Sequence, residues 1–388
     1  MTRPALPATV WALGLTSMLM DVSSEMIHAL LPVYLTAVLG LSVASVGWIE
    51  GIAEATALAV KIFSGALSDW LGKRKALALA GYAMAALTKP IFPLASGAGE
   101  VIAARFIDRI GKGIRGAPRD ALVADVTPEA LRGAAYGLRQ SLDTLGAVLG
   151  PLIAIALMVW TLNDFRFVFW IAVIPAALAV AVLAFGVVEP DGKPTTRTNP
   201  LTRAAMRQMS PMFWLVVAIG GLLAFARVSE AFLVLRATGS GLPAAYAPAV
   251  LVAMSLIYAL GAYPAGKLVD RLSRKSLLGA AILSLALAEA VLAINGSLVV
   301  VFAGIALWGV HMALSQGLLA ALVAETAPES LRATGFGLFN LASAVAVLTG
   351  NVIFGALWTN WGAGAAYGAA AGCALLVAPL ALAYRKAA

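Results

Sequence analysis

Along the chain, apolar residues run in long blocks and polar residues gather in short clusters between them. A helix that crosses a bilayer needs roughly 20 mostly apolar residues. Twelve blocks read as spans: 8–37, 43–67, 76–95, 98–115, 131–160, 167–187, 211–236, 244–266, 276–294, 298–321, 333–359 and 363–384. The first block is not read as a cleaved signal, because Asp21 and Glu25 stand where a signal's core would be uncharged. The longest polar stretch, 188–210, is rich in Pro, Thr and Arg and falls between the sixth and seventh blocks, which reads as a linker. The pattern predicts an all-α polytopic membrane protein. A bundle of six helices covers 1–187, a cytoplasmic linker 188–210 and a second bundle of six 211–388.

The halves repeat one another. Residues 121–138 read ALVADVTPEALRGAAYGL and residues 321–338 read ALVAETAPESLRATGFGL, with ten of eighteen positions identical at an offset of 200. GALSDWLGKRK at 65–75 meets GKLVDRLSRKS at 266–276, where Gly65, Leu67, Asp69 and Leu71 align with Gly266, Leu268, Asp270 and Leu272. Two offsets differing by a single residue indicate duplication. Parallel six-helix repeats with a binding site between them near the bilayer midplane are one known transporter architecture.

Composition narrows the class. Hydrophobic residues make up 61% of the 388 positions and charged residues 12%, against about 25% charged in a soluble domain. This excludes a soluble enzyme, a disordered chain and a disulfide scaffold. The single cysteine, Cys373, lies in an apolar run, and the two histidines, His28 and His311, are too few for a His-rich metal cluster. No His-Glu-x-x-His set, Gly-x-Ser-x-Gly or phosphate loop occurs, so no enzymatic chemistry is read. The net charge of +8 sits mostly at the loops and does not point to nucleic acid. With the N-terminus inside, eighteen of the 27 Lys and Arg fall on the cytoplasmic side and two, Arg166 and Arg236, near the outer face. That bias predicts both termini in the cytoplasm. It suits an integral protein of a bacterial inner membrane, whose partners are the lipid bilayer, a small-molecule substrate and protons. A monomer is expected, with no cofactor and a proton gradient as the energy source.

The loop Gly65-Ala-Leu-Ser-Asp69-Trp-Leu-Gly72-Lys73-Arg74-Lys75 resembles the loop-2–3 signature of the major facilitator superfamily, and its degenerate copy includes Asp270 and Arg271. With the repeat, the linker and twelve spans, the whole chain resembles a drug/proton-antiporter-like member of that superfamily. The resemblance implies two pseudo-symmetric six-helix bundles. It also implies a conformational latch that uses Gly65, Asp69, Gly72, Lys73, Arg74, Asp270 and Arg271 to hold the outward-facing state. Independently of it, an acid flanked by bases at a helix end can tie one helix bundle to another.

Seven bases remain at membrane depth: Lys61, Lys89, Arg105, Arg109, Lys112, Arg139 and Arg227. A charge at the bilayer centre costs about 2.5–3.5 kcal/mol on insertion scales and usually faces a wet cavity. Span one carries Asp21, Glu25 and His28 on one helical face. Span two carries Glu54. Span four carries the stripe Arg105, Asp108, Arg109 and Lys112, with Arg115 and Arg119 continuing into the cytoplasm. Span five carries Arg139, Gln140 and Asp143, span seven Arg227 and Glu230, and span ten His311. These are the candidate proton-coupling and cavity residues. Arg109 and the glycines after it resemble the superfamily's span-four signature, which implies a part for that arginine in proton transfer. Gly137, Gly146, Gly150 and Pro151 resemble its antiporter motif, which implies export. Small residues so spaced permit close helix packing, and Pro151 removes a backbone donor.

Three activities are compatible with these residues. The first is proton-coupled antiport exporting a small solute. The second is import or exchange of an anionic metabolite on Arg105, Arg109 and Lys112. The third is efflux of a divalent metal or its chelate, with Asp21, Glu25 and His28 as a speculative ligand set.

Overall fold

The computed structural model describes residues 6–71, 73–189, 206–271, 273–328 and 331–384. These residues are almost entirely helical, and no strand occurs among them. The long helices are α1 (Ala8–His28), α2 (Val43–Leu71), α3 (Arg74–Thr88), α4 (Ala98–Val126), α5 (Arg132–Trp160) and α6 (Phe165–Gly186). They continue as α7 (Pro211–Ala226), α8 (Glu230–Gly239), α9 (Ala249–Arg271), α10 (Arg274–Ala293), α11 (Leu298–Thr326), α12 (Arg332–Leu375) and α13 (Ala378–Ala383).

Nine helical stretches among the described residues are long and apolar enough to cross a membrane. The last, Thr334–Ala383, is 50 residues long and breaks at Gly362, whose φ of 85° only glycine adopts freely, so it supplies two spans. Two further helices, α1 and α4, fall outside the nine because they carry the charges noted above. The described residues thus supply twelve spans of an all-α protein.

Two compact units form, Met1–Leu31 with Thr56–Thr198 and Pro32–Ala55 with Asn199–Ala388. In the first, α1 packs on α5 and α6, and α3 packs on α4. Leu13, Met20, Tyr82, Leu122 and Leu183 are fully buried there. Close packing of α3 and α4 rests on paired glycines. A Cβ at Gly81 would come 2.7 Å from the Gly111 carbonyl oxygen, and one at Gly111 would come 2.7 Å from that of Gly81. In the second unit α10 packs on α11 and α12, α9 on α11, and α7 on α12.

Two predicted elements differ. The span predicted over 211–236 is broken between α7 and α8, because Ser229 is an N-cap whose Oγ accepts from the Ala231 N–H at 3.3 Å. Span four runs past 115 to Val126, with Pro118 inside the helix. Arg115 and Arg119 are therefore helical residues, buried and half-buried respectively.

Candidate functional site

In the first unit the acids of α1 rest on the glycines of α5. A Cβ at Gly146 would lie 2.6 Å from the Met18 carbonyl oxygen and 3.0 Å from Asp21 Cβ. One at Gly150 would lie 2.7 Å from the Val22 carbonyl oxygen and 2.9 Å from Glu25 Cβ. The predicted face of α1 and two of the three motif glycines therefore meet at one seam. Pro151 is buried beside it, whereas Gly137 is exposed with nothing within 4 Å of an added Cβ. At the end of α1, His28 Nδ1 lies 3.6 Å from Glu25 Oε2.

Alongside the seam, α4 presents its stripe inward. Arg105, Asp108 and Arg109 are all at most 4% exposed. Asp108 accepts from Lys89 Nζ at 2.9 Å and lies 3.9 Å from Arg109 Nε. Lys89, 2% exposed, also donates to Ser24 Oγ at 3.0 Å, so it ties Asp108 to the acidic face of α1. Lys112 is exposed, and with Arg109 it acts electrostatically on Glu25. Asp21 is under the influence of Asp143, Arg115, Lys112 and Arg119.

Further along α4 a second cluster forms. Arg119 donates to Asp120 Oδ1 at 3.0 Å and to Ser17 Oγ, and lies 3.9 Å from Asp143. Arg139 bridges Asp120 and Asp143 at 3.1 Å each and donates to Gln140 Oε1 at 3.1 Å. The Arg115 guanidinium lies 4.7 Å from the centre of the Tyr82 ring. The structure thus gathers Asp21, Glu25, His28, Arg105, Asp108, Arg109, Lys112, Arg139, Gln140 and Asp143 into one charged network. It adds Ser17, Ser24, Lys89, Arg115, Arg119 and Asp120. Lys89 could be recognised from the sequence as a base at membrane depth, but not its partner. Among the described residues no three His, Cys, Asp or Glu side chains are grouped so as to hold a metal ion. Of the speculative set Asp21, Glu25 and His28, His28 meets Glu25.

In the second unit the predicted residues lie around the end of α7 and on α11. Arg227 closes α7 and donates to Met312 Sδ at 3.1 Å, and its electrostatic partners are Glu230 and Glu54. Ser229 N–H donates to Asn351 Oδ1 at 2.8 Å, so the break in the seventh span is held by α12. His311 is buried, with Nδ1 2.8 Å from the Ala281 carbonyl oxygen and Nε2 3.4 Å from Ser315 Oγ. Both ring nitrogens are thus engaged within the second unit.

Of the predicted latch, Gly72 and the side chains of Asp69, Asp270 and Arg271 lie outside the described residues. Gly65 packs on Ala117 and Lys73 is exposed. Arg74 pairs with Asp125 at 2.7 Å, and the Lys75 N–H donates to Glu189 Oε1 at 2.9 Å. In the second unit Arg274 pairs with Glu325 at 2.5 Å. These are the same two positions 200 residues on.

The model of the Major Facilitator Superfamily matches residues 13–253 and 231–388. The chain belongs to that superfamily. It is 32% identical over 364 residues to an MFS-type transporter of Methanocaldococcus jannaschii, covering 91% of this chain and 89% of the relative. It is 26% identical over 357 residues to the multidrug resistance protein MdtH of Aeromonas hydrophila, covering 89% and 87%. The nucleoside transporter NupG shares its fold at a TM-score of 0.82 with 13% identity, covering 97% of this chain and 100% of that one. A superfamily member is a secondary transporter rather than an enzyme. This one is a membrane protein whose charged network lies inside its first unit.

Proposed function

We propose that this secondary transporter is a proton-coupled antiporter that exports a small solute by alternating access. The proton gradient is its energy source and it uses no cofactor. One observation carries the reading: Asp21 and Glu25 sit directly on Gly146 and Gly150, with the bases of α4 beside them. Acids held at a tight helix seam exchange a proton when that seam loosens, because a carboxylate loses its compensating bases and its packing together. Protonation from one side and release to the other then couples the gradient to the change in packing. Arg105 and Arg109 steady the charged state, and Arg139 and Asp143 extend the network toward the cytoplasmic end of α5. Export is supported by the partial antiporter motif and by the multidrug-resistance relative. We place the protein in a bacterial inner membrane as a monomer with both termini inside, and Arg74 in a latch at the cytoplasmic ends of its helices.

A second reading, exchange of an anionic metabolite, draws on the surplus of base in the network. Lys89, Arg105, Arg109, Lys112, Arg115, Arg119 and Arg139 outnumber Asp21, Glu25, Asp108, Asp120 and Asp143. Reconstitution in liposomes with an internal pH dye separates the two. Antiport predicts substrate-dependent proton movement that Glu25→Gln and Asp21→Asn each reduce at least tenfold. Normal gradient-driven transport by both amide variants overturns the assignment. Counterflow of organic anions without proton movement favours the second reading.

A further inference from the structure

The repeat gives the buried pair Lys89–Asp108 a counterpart 200 residues on, where the chain has Glu289 on α10 and Trp308 on α11. The helix pairs correspond in contact as well as in sequence. Gly111 abuts the carbonyl of Gly81 in the first unit, and His311 abuts the carbonyl of Ala281 in the second. The pair of opposite charges is thus replaced by an acid and an indole. Glu289 is 0% exposed, and neither of its carboxyl oxygens has a hydrogen-bond partner among the described residues. The indole Nε1 of Trp308 and the hydroxyl of Tyr367 on α12, both buried, are likewise without one.

The other groups around α10 do not supply a counter-charge in contact with Glu289. On α11, His311 is engaged with Ala281 and Ser315. On α9, Tyr258 donates to Gln316. Beyond α13, Tyr384 bonds Glu325 near the Arg274 end of α10. At the end of α10, Arg236 of α8 is engaged elsewhere. Its Nε donates to the Leu292 carbonyl at 2.9 Å and its Nη2 to the Ile294 carbonyl at 2.6 Å. Arg236 and Glu289 both act electrostatically on Tyr367. An ionised carboxylate buried without a partner is costly enough that the group takes up a proton instead.

We propose that Glu289 is a proton-binding site of the second unit, distinct from the acids of the first, and that it is a neutral carboxylic acid in this conformation. Glu289 lies one turn before Ala293, the outer end of α10, so the proton has a short path to the outer water. When the proton leaves, the carboxylate has no ion-pair partner in contact among the described residues.

The protonation state can be read without transport, so failure here is separable from failure of the antiport reading. The test is infrared difference spectroscopy of reconstituted protein, wild type against Glu289→Gln, at neutral pH. A carboxylic-acid carbonyl band present in the wild type and missing from the variant is expected, and a carboxylate signature in its place overturns the proposal. Adding sodium chloride at constant pH is expected to leave the acid band unchanged; its loss would make the site a sodium site and overturn the proposal as well. Peptide mapping of the wild type after treatment with dicyclohexylcarbodiimide needs no variant. Modification of Glu289 that declines as pH rises is expected, and its absence at every pH counts against the proposal.

Discussion

Lys89 is the residue that most changes the picture drawn from sequence. It sits at the C-cap of α3, nearly fully buried, and holds Asp108 and Ser24 together. Removing one partner of a buried ion pair costs about 3–5 kcal/mol because the other charge is left uncompensated. Replacing both with apolar groups of similar size avoids most of that loss. Lys89→Met is therefore expected to lower the melting temperature of the purified protein sharply. Lys89→Met with Asp108→Leu is expected to recover more than half of the loss. If the double variant is less stable than Lys89→Met alone, the pair is not what stabilises this part of the unit. Depth of a charge is legible in sequence, since a lysine inside an apolar run has nowhere else to go. Its partner is not, because the eighteen intervening residues say nothing of which helix faces turn toward each other. The same holds for His311, whose partner, a backbone carbonyl one helix away, is not legible in the sequence.

At the scale of the helix, the glycines of α5 separate into two kinds that a motif cannot distinguish. Gly146 and Gly150 face carbonyl oxygens of α1 at distances no Cβ tolerates, while Gly137 faces open space. Backbone cannot swing aside as a flexible side chain can, so the helices must part. Overpacking of this kind costs about 1–3 kcal/mol, and an open surface site stays within about 0.5 kcal/mol. Gly150→Val is expected to lower the melting temperature and to abolish solute transport in proteoliposomes, because it moves Glu25 off its seat. Gly137→Ala is expected to leave both unchanged. Equal effects from the two variants would mean that the spacing, and not the contact with α1, is what matters. The break between α7 and α8 was open to the same kind of reading. Ser229 followed by Glu230 is a helix start, but inside a long apolar run it reads as two polar residues in one helix. The continuation of α4 to Val126 was hidden for the opposite reason, because clustered bases and Pro118 look like a loop until buried partners such as Tyr82 and Asp143 are known.

For the whole molecule, duplication was legible at once and survives in contacts as well as letters. Arg74–Asp125 and Arg274–Glu325 are one ion pair made twice, and α3 meets α4 as α10 meets α11. What the repeat does not conserve is charge at depth, which is dense in the first unit and reduced to a few groups in the second. Orientation in the bilayer rests on a different global property, the eighteen-to-two placement of Lys and Arg. Long charged side chains are held back by the negative cytoplasmic surface and by the cost of translocation, so their asymmetry sets which loops stay inside. Ser297 precedes α11 in a loop on the outer side of this scheme, is exposed and caps nothing with its side chain. Lys73, also exposed, lies in the α2–α3 loop on the inner side. After Cys373→Ser removes the native thiol, Ser297→Cys is expected to react with a membrane-impermeant maleimide on intact cells, and Lys73→Cys only once the cells are permeabilised. The reverse pattern would turn the protein over in the membrane. It would put the Arg74 and Arg274 pairs on the outside, and the proton entering by Glu289 would then come from the cytoplasm.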